Sequence, residues 1–307
     1  MIPRPNSAGA RRRRRFPLAE IKLVIVAIGA AVAAALGCLS GITSQAAFTP
    51  MLSWMLGFSV DKARATAMSV TAAIAASCVL SAVVASGNHL PHNPTSVALA
   101  TSLQLPGAFV STVLLIFLGA TIGALFTVRL VPKPDQIVTR RAFQFVGVCV
   151  GIYVVAEANH LGTSSTAHLF HLSGPFISLV IGLATGAATQ VLGLASGTLL
   201  VPALYYVAPY SPGQAVLIST AVIGLASLLP AYSYARSGRW DGRYAAAGLT
   251  GGVLVGIVVG SRLLLVSPRV VLMMFALLAM FFSAREISRI ALEQTVSDTP
   301  RPGPDLS

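Results

Sequence analysis

The sequence predicts an all-α integral membrane protein of about ten transmembrane segments, two of them short or broken, in two inverted five-segment repeats. Of its 307 residues 55% are apolar and only 10% charged, and uncharged runs follow one another almost without pause from Leu23 to Ala284. Several of these runs approach or exceed the length that crosses a hydrocarbon core of roughly 30 Å. The stretch from Gly193 to Pro202, G-L-A-S-G-T-L-L-V-P, repeats the one from Gly41 to Pro50, G-I-T-S-Q-A-A-F-T-P. Gly41, Ser44 and Pro50 thereby precede Gly193, Ser196 and Pro202 by 152 residues. Finally, Lys and Arg are confined to alternate loops, which is how cytoplasmic and outer loops differ in membrane proteins.

The segments follow in chain order. The first half reads Ile21 to Ser40, a short piece Gly41 to Gly57, then Arg64 to Ser86, Pro106 to Leu130 and Arg141 to Glu157. The second half reads Pro175 to Leu192, a short piece Gly193 to Ala208, then Gly213 to Tyr232, Tyr244 to Val266 and Arg269 to Ala284. The short pieces reach only about 24 to 26 Å even if fully helical. Pro50 and Pro202 each remove a backbone donor and are expected to break them. The match between halves continues through Leu52/Leu204 and Ser59/Ser211, then, with a two-residue slip, through Ala-x-x-x-Ser at Ala65 to Ser69 and Ala215 to Ser219.

If both short pieces cross, Lys62, Arg64, Arg129, Lys133, Arg236, Arg239 and Arg243 all fall on the cytoplasmic side, and the outer loops Gly87 to Leu105, Leu161 to Gly174 and Pro209 to Pro212 hold no Lys or Arg, Arg262 and Arg269 being the exceptions. Five crossings per half is an odd number, so the halves insert upside down relative to each other. Arg262 lies outside against the rule, but Gly256-x5-Arg262 mirrors Gly123-x5-Arg129, as inversion requires. The plan is then a basic, disordered cytoplasmic N-terminus over residues 1–19, a first repeat over 20–157 and an extracytoplasmic linker over 158–173. A second repeat covers 174–284, and a cytoplasmic tail 285–307. The expected location is the inner (plasma) membrane, multi-pass, with both termini cytoplasmic. The Arg11 to Arg15 run before an apolar stretch also fits a signal peptide, but its removal would cut away the helix leading into the repeated motif.

The formal net charge of +12 reads as basic cytoplasmic loops rather than nucleic-acid binding, because aromatic–basic interleaving is absent. Cys38, Cys78 and Cys149 lie in apolar runs without ligand spacing and read as small core residues. No metal site or cofactor is expected. His168-x2-His171 has metal-ligand spacing, with a solvated loop as the simpler account. No carboxylate lies in mid-membrane, and Glu157 alone ends an apolar span, a weak candidate for coupling.

Broken helices are tolerated in a bilayer only where they line a cavity or are buried in protein. The breaks at Thr43 to Pro50 and Ala195 to Pro202 are therefore candidate cavity walls. A half-helix N-terminus offers free N–H groups and a positive dipole end to an anion. The candidate substrate-binding residues are Thr43, Ser44, Gln45, Pro50, Ser69, Ser196, Gly197, Thr198, Pro202 and Ser219, with Thr71 and Thr220 among the neighbouring hydroxyls. The competing account is small-residue packing and back-bonding within each helix. A repeated, broken segment points to a secondary transporter working by alternating access on a small anion. The other readings are a non-transporting membrane scaffold or sensor, and an intramembrane serine hydrolase built on Leu194-Ala195-Ser196-Gly197. The hydrolase needs a positioned base, and every histidine falls in a predicted loop. The expected partners are the substrate anion and the lipid bilayer, not nucleic acid, with homo-oligomerisation left open.

At these residues the sequence resembles the sulfite exporter TauE/SafE family of bacterial membrane permeases. The resemblance rests on Gly193, Gly197, Val201-Pro202-Ala203-Leu204 and Ala215 to Ser219 in the second half. The first half contributes Gly41, Thr49-Pro50-Met51-Leu52 and Ala65 to Ser69, and the end contributes Gly260-x-Arg262, Ser267-Pro268 and Phe275. It covers about residues 20–284. Thr43-Ser44-Gln45 and Ala195-Ser196 stand where that family prefers glycine. The resemblance implies export of sulfite, an organosulfonate or another small sulfur-containing anion.

The topology is testable by cysteine labelling in intact cells. An introduced cysteine in Thr166→Cys should react with an impermeant reagent and one in Ser237→Cys should not; the reverse pattern would exclude the inverted arrangement.

Overall fold

The computed structural model describes residues 18–88, 106–130, 136–160, 174–192, 197–208 and 210–297. These form ten α-helices and, among the described residues, no strand: α1 (Leu18–Ser40), α2 (Gln45–Leu56), α3 (Val60–Asn88), α4 (Pro106–Leu130), α5 (Gln136–His160), α6 (Pro175–Leu192), α7 (Gly197–Tyr206), α8 (Pro212–Arg236), α9 (Gly242–Leu263) and α10 (Pro268–Ser297). Five are long and apolar enough to cross a membrane: α1, α3, α4, α8 and α9. Their outer faces carry apolar side chains at helical spacing, such as Ile21, Val24, Ile28 and Val32 on α1, and Val110, Leu114 and Leu118 on α4, all exposed. Helices apolar on their outer face as well as their inner one are what a hydrocarbon solvent selects. The chain is an all-α, multi-pass membrane protein.

Local chemistry sets the helix ends. The Ser211 hydroxyl accepts from the Gln214 N–H while Gln214 Oε1 accepts from the Ser211 N–H at 2.9 Å, a capping box with Pro212 at the first helical position of α8. Asp241 caps α9 by accepting from the Arg243 N–H at 3.2 Å. Glycines in the left-handed region close α1 at Gly41 (φ 68°) and α2 at Gly57 (φ 70°).

The prolines do not break the short helices as expected. Pro50 and Pro202 each lie inside, in the sixth place of α2 and α7. A proline there sacrifices its own bond to the carbonyl four residues earlier. The remaining turns are held by fully packed side chains, Phe48 and Leu52 on α2 and Leu200 and Leu204 on α7. The interruption in the first half falls earlier, at 41–44, where Gly41 takes a φ that other residues avoid. The short helices are also shorter than expected: 12 and 10 residues make about 18 and 15 Å. Past Ala284 the helix α10 runs on without interruption to Ser297. The Arg11 to Arg15 run, Gly193 to Ser196, His89, His92, His168, His171 and the Pro-rich end from Thr299 lie outside the described residues, as do the side chains of Glu157 and His160.

Glycine contacts fix the helix directions. Gly248, Gly252, Gly256 and Gly260 of α9 press in turn on Val70, Ile74, Ser77 and Ser81 of α3, so these two helices run parallel. Gly251 rests on the Ala27 backbone of α1, and Gly252 faces Ala30, making α1 parallel to both. Between α1 and α3 the chain must therefore return, and α2 returns it: Ser44 lies by Gly37 and Met51 by Gly29, antiparallel to α1. In the other half Gly182 and Gly186 of α6 lie on the Ile116 and Ala120 backbones of α4, again in parallel. The main pairings correspond when the halves are exchanged: α1 packs on α9 as α6 packs on α4, and α2 on α3 as α7 on α8, while α3 meets α8 and α5 meets α10.

Two polar joints tie the halves together near helix starts. The Lys62 ammonium lies 2.8 Å from Asp241 Oδ2, linking α3 to α9, and the Thr112 and Tyr210 hydroxyls are 3.2 Å apart, linking α4 to the entry of α8. Partial burial raises the Asp241 pKa, but the Lys62 ammonium and the N–H groups of Tyr244 and Arg243 together outweigh it and hold the carboxyl below its usual value. The pair is thus fully charged above the ordinary carboxylate range and is lost only as pH falls through that lowered value.

These backbone contacts leave no room for a Cβ. Gly186→Leu and Gly251→Leu should each destabilise the protein by about 1–3 kcal/mol or more. Gly242→Ala, with open space around it, should melt like the parent. Thermal unfolding in detergent checks this, and equal melting of all three variants would refute the assigned packing.

Candidate functional site

In a bilayer, a helix can stop only where its backbone groups find other partners, and the interruption after α1 shows how they are found. The Gly41 N–H still reaches Gly37 O at 2.8 Å, and the Ile42 N–H donates to the Ser40 hydroxyl at 3.2 Å. The Gln45 N–H donates to Thr43 Oγ1 at 3.2 Å. Ala46 donates to Thr43 O at 3.0 Å, and Ala47 and Phe48 both donate to Ser44 O, at 3.2 and 3.0 Å. The expectation of free N–H groups at this helix start is thus corrected for residues 45–48, whose donors are consumed locally.

Because its own helix does not use it, the Ser44 hydroxyl is released for a longer-range contact. Ser44 is the N-cap of α2 but makes no capping bond; its Oγ lies 3.0 Å from Thr71 Oγ1 on α3. Both residues are buried. Two hydroxyls carry two protons, and one bond between them uses one, so a donor remains to be offered.

That donor borders a narrow cleft with about 10 Å³ of water-accessible space, room for about one water molecule, with walls from both halves of the chain. The first half supplies Gly37 and Cys38 of α1, Ile42, Thr43 and Ser44 of the interruption, and Thr71, Ile74 and Ala75 of α3. The second half supplies Thr220 and Ile223 of α8. Among the described residues that line it there is no Asp, Glu, Lys or Arg. Its polarity comes from hydroxyls and from the positive end of the α2 dipole, which opens at Ser44. Thr220 Oγ1 donates to Val216 O at 2.8 Å and keeps acceptor capacity.

The other candidate residues divide clearly. Ser219 is fully buried, and its hydroxyl donates 2.9 Å to the Gly41 carbonyl, so it holds the interruption rather than lining the cavity. Gly197, the first residue of α7, presses on the Gly41 backbone, so the two repeated motifs meet there. The Ser69 hydroxyl turns back on its own helix, donating 3.2 Å to Ala65 O. Gln45, Pro50, Thr198 and Pro202 are half-buried on the short helices and are not among the lining residues. Ser196 lies outside the described residues. Thr71 is two positions beyond Ser69, about 200° around the helix, which is why one faces the cavity and the other does not. The apolar walls, Cys38, Ile74, Ala75 and Ile223, carry no motif that the sequence could have shown.

Loss of the Ser219 hydroxyl leaves the buried Gly41 carbonyl without this partner. Ser219→Ala should cost about 1–3 kcal/mol, while Ser69→Ala, which removes only a local back-bond, should cost far less. Detergent melting curves of the two variants side by side decide it; equal shifts would refute the assignment.

Comparison with known proteins adds one finding: residues 177–304 match the family model described as Sulfite exporter TauE/SafE. The match begins within α6 and covers the second half and the tail, so the resemblance read from Val201-Pro202-Ala203-Leu204, Ala215 to Ser219 and Gly260-x-Arg262 holds. No curated protein and no solved structure matches the chain.

Proposed function

From a second half matched to a sulfite exporter family, we propose that the protein is a secondary transporter that moves a small anion across the inner membrane by alternating access. Sulfite, an organosulfonate or a related sulfur oxyanion is the substrate class. The observation that carries the reading is the narrow cleft at the α1–α2 interruption, apolar over most of its wall but bordered by the hydroxyls of Thr43, Ser44, Thr71 and Thr220, where residues of both halves meet. Spare hydroxyl donors and a helix dipole can replace part of an oxyanion's hydration. Ten crossings in two inverted repeats are supported by the return path through α2 and by helix pairings that correspond when the halves are exchanged. In this arrangement both termini are cytoplasmic.

The scaffold or sensor reading treats the interruption as a packing device. Against it stands the Ser44–Thr71 pair, whose hydroxyls face each other across two helices rather than their own backbones. The buried hydroxyls described around the cavity bond to hydroxyls or backbone carbonyls, an arrangement that fits binding better than nucleophilic attack.

Counterflow of labelled sulfite into proteoliposomes tests the carrier directly, and absence of flux for sulfite and for a panel of sulfonates would overturn it. A hydrogen bond to an ion is worth roughly 1.5–3 kcal/mol, so Ser44→Ala should raise the half-saturation concentration on the order of tenfold. Ser196→Ala is expected to act in the same direction, and Ser69→Ala should behave as the parent. Unchanged half-saturation and maximal rate in Ser44→Ala would remove this cavity from the substrate path.

A further inference from the structure

The one ion pair among the described residues joins the two halves of the chain. Lys62 stands in the first turn of α3 and Asp241 at the N-cap of α9, with 2.8 Å between Nζ and Oδ2. Around it, the Asp241 N–H donates to Thr66 Oγ1 at 3.3 Å, and Thr66 Oγ1 donates to the Lys62 carbonyl at 2.9 Å. The ammonium also sits 4.6 Å over the Phe58 ring, and Phe58 meets Tyr244 edge-on with centroids 5.1 Å apart. The elbow between α2 and α3 is thereby latched to the start of α9.

A tightly packed wall lies between this latch and the cavity. Nine residues of α3 separate Lys62 from Thr71, about 13 Å. Between them Ala63, Thr66, Ala67 and Val70, with Phe48 of α2 and Ala245 of α9, are all at most 1% exposed. The ion pair itself is only half sequestered, with side-chain exposures of 42% and 23%. A pair in contact with water is weak, a property suited to a joint that opens and closes and poorly suited to a permanent clamp.

A second polar contact joins the halves elsewhere. Exchanging the halves carries α3 onto α8 and α9 onto α4; Tyr210, two residues before α8, and Thr112, in the second turn of α4, have 3.2 Å between their hydroxyls. A short turn reverses the chain from α8 into α9, so the starts of α8 and α9 lie at opposite ends of the bundle. One closure is ionic and braced by aromatic rings; its counterpart is a neutral hydroxyl pair. We propose that Lys62–Asp241, braced by Phe58 and Tyr244, is the gate at one mouth of the transport path, and that Thr112–Tyr210 is the corresponding gate at the other. The two close in alternation, and the structure holds the ionic gate shut. This rests on the carrier reading, and it identifies the parts that move.

Cavity accessibility tests the gate without requiring flux. In full-length protein lacking its native cysteines, Thr71→Cys would be labelled with an impermeant methanethiosulfonate reagent in right-side-out and inside-out membrane vesicles. Lys62→Gln and Asp241→Asn should each raise the labelling rate several-fold from the face that carries Lys62 and not from the other. The charge exchange Lys62→Asp with Asp241→Lys should return it toward the parent rate, which a variant opened by misfolding cannot do. Unchanged rates in both single variants, increases from both faces, or failure of the exchanged pair to restore closure would each overturn the gate. If labelling responds as expected while parent protein shows no sulfite counterflow, the gate survives and the carrier reading fails. If counterflow is present and labelling is insensitive, the gate fails and the carrier reading survives.

Discussion

The hydrogen bond from the Ser219 hydroxyl to the Gly41 carbonyl, 2.9 Å long and fully buried, joins the second half of the chain to the point where α1 stops. In a hydrocarbon solvent an interrupted helix exposes carbonyls and N–H groups that no water can satisfy, and each left unpaired costs free energy comparable to a lost hydrogen bond. The interruption at 41–44 exists because Ser40, Thr43 and Ser44 supply acceptors from within it while Ser219 supplies a donor from the other half. The cavity forms beside this junction because the chain has left the helical path there and side chains of three helices converge without filling the space.

Close approach of backbones makes the rest possible. In a bilayer, apolar side chains gain little from leaving lipid for protein, so helix association relies on van der Waals fit and on small residues that let axes approach. The glycine row of α9 against α3, and the glycines of α4 and α6 against each other, serve that purpose on opposite sides of the bundle. They also account for parallel neighbours: α1 and α3 can both run alongside α9 because α2 reverses the chain between them. A short helix of 12 residues is long enough to return the path when the flanking turns contribute.

A neutral, hydroxyl-bearing cavity has a distinct energetic character. In the carrier proposed above, an anion entering it would exchange water for a few oriented donors and a dipole, which compensate only in part. That balance suits a carrier, whose ligand must leave as readily as it enters. The polar contacts between the halves are ionic at Lys62–Asp241 and neutral at Thr112–Tyr210, whereas the Ser219–Gly41 contact is fully buried.

Much of this was legible in the residues alone. Class and helix content follow from hydrophobic runs, because a bilayer demands them segment by segment and without reference to neighbours. The repeat was visible because Gly, Ser and Pro recur at the same spacing in both halves, and the second-half resemblance rested on the same residues. What the sequence could not determine was which side of a helix each hydroxyl faces: Ser69 and Ser219 occupy equivalent Ala-x-x-x-Ser positions, yet one turns back on Ala65 and the other braces Gly41. Nor could it place the interruption at Gly41 rather than at Pro50, because a proline's cost depends on whether packing holds the turns beyond it, and Phe48 and Leu52 hold them. The partnership of Ser44 with Thr71, and the apolar walls around them, were decided by tertiary structure alone, since contacts between distant segments depend on how whole helices dock and no local pattern encodes that.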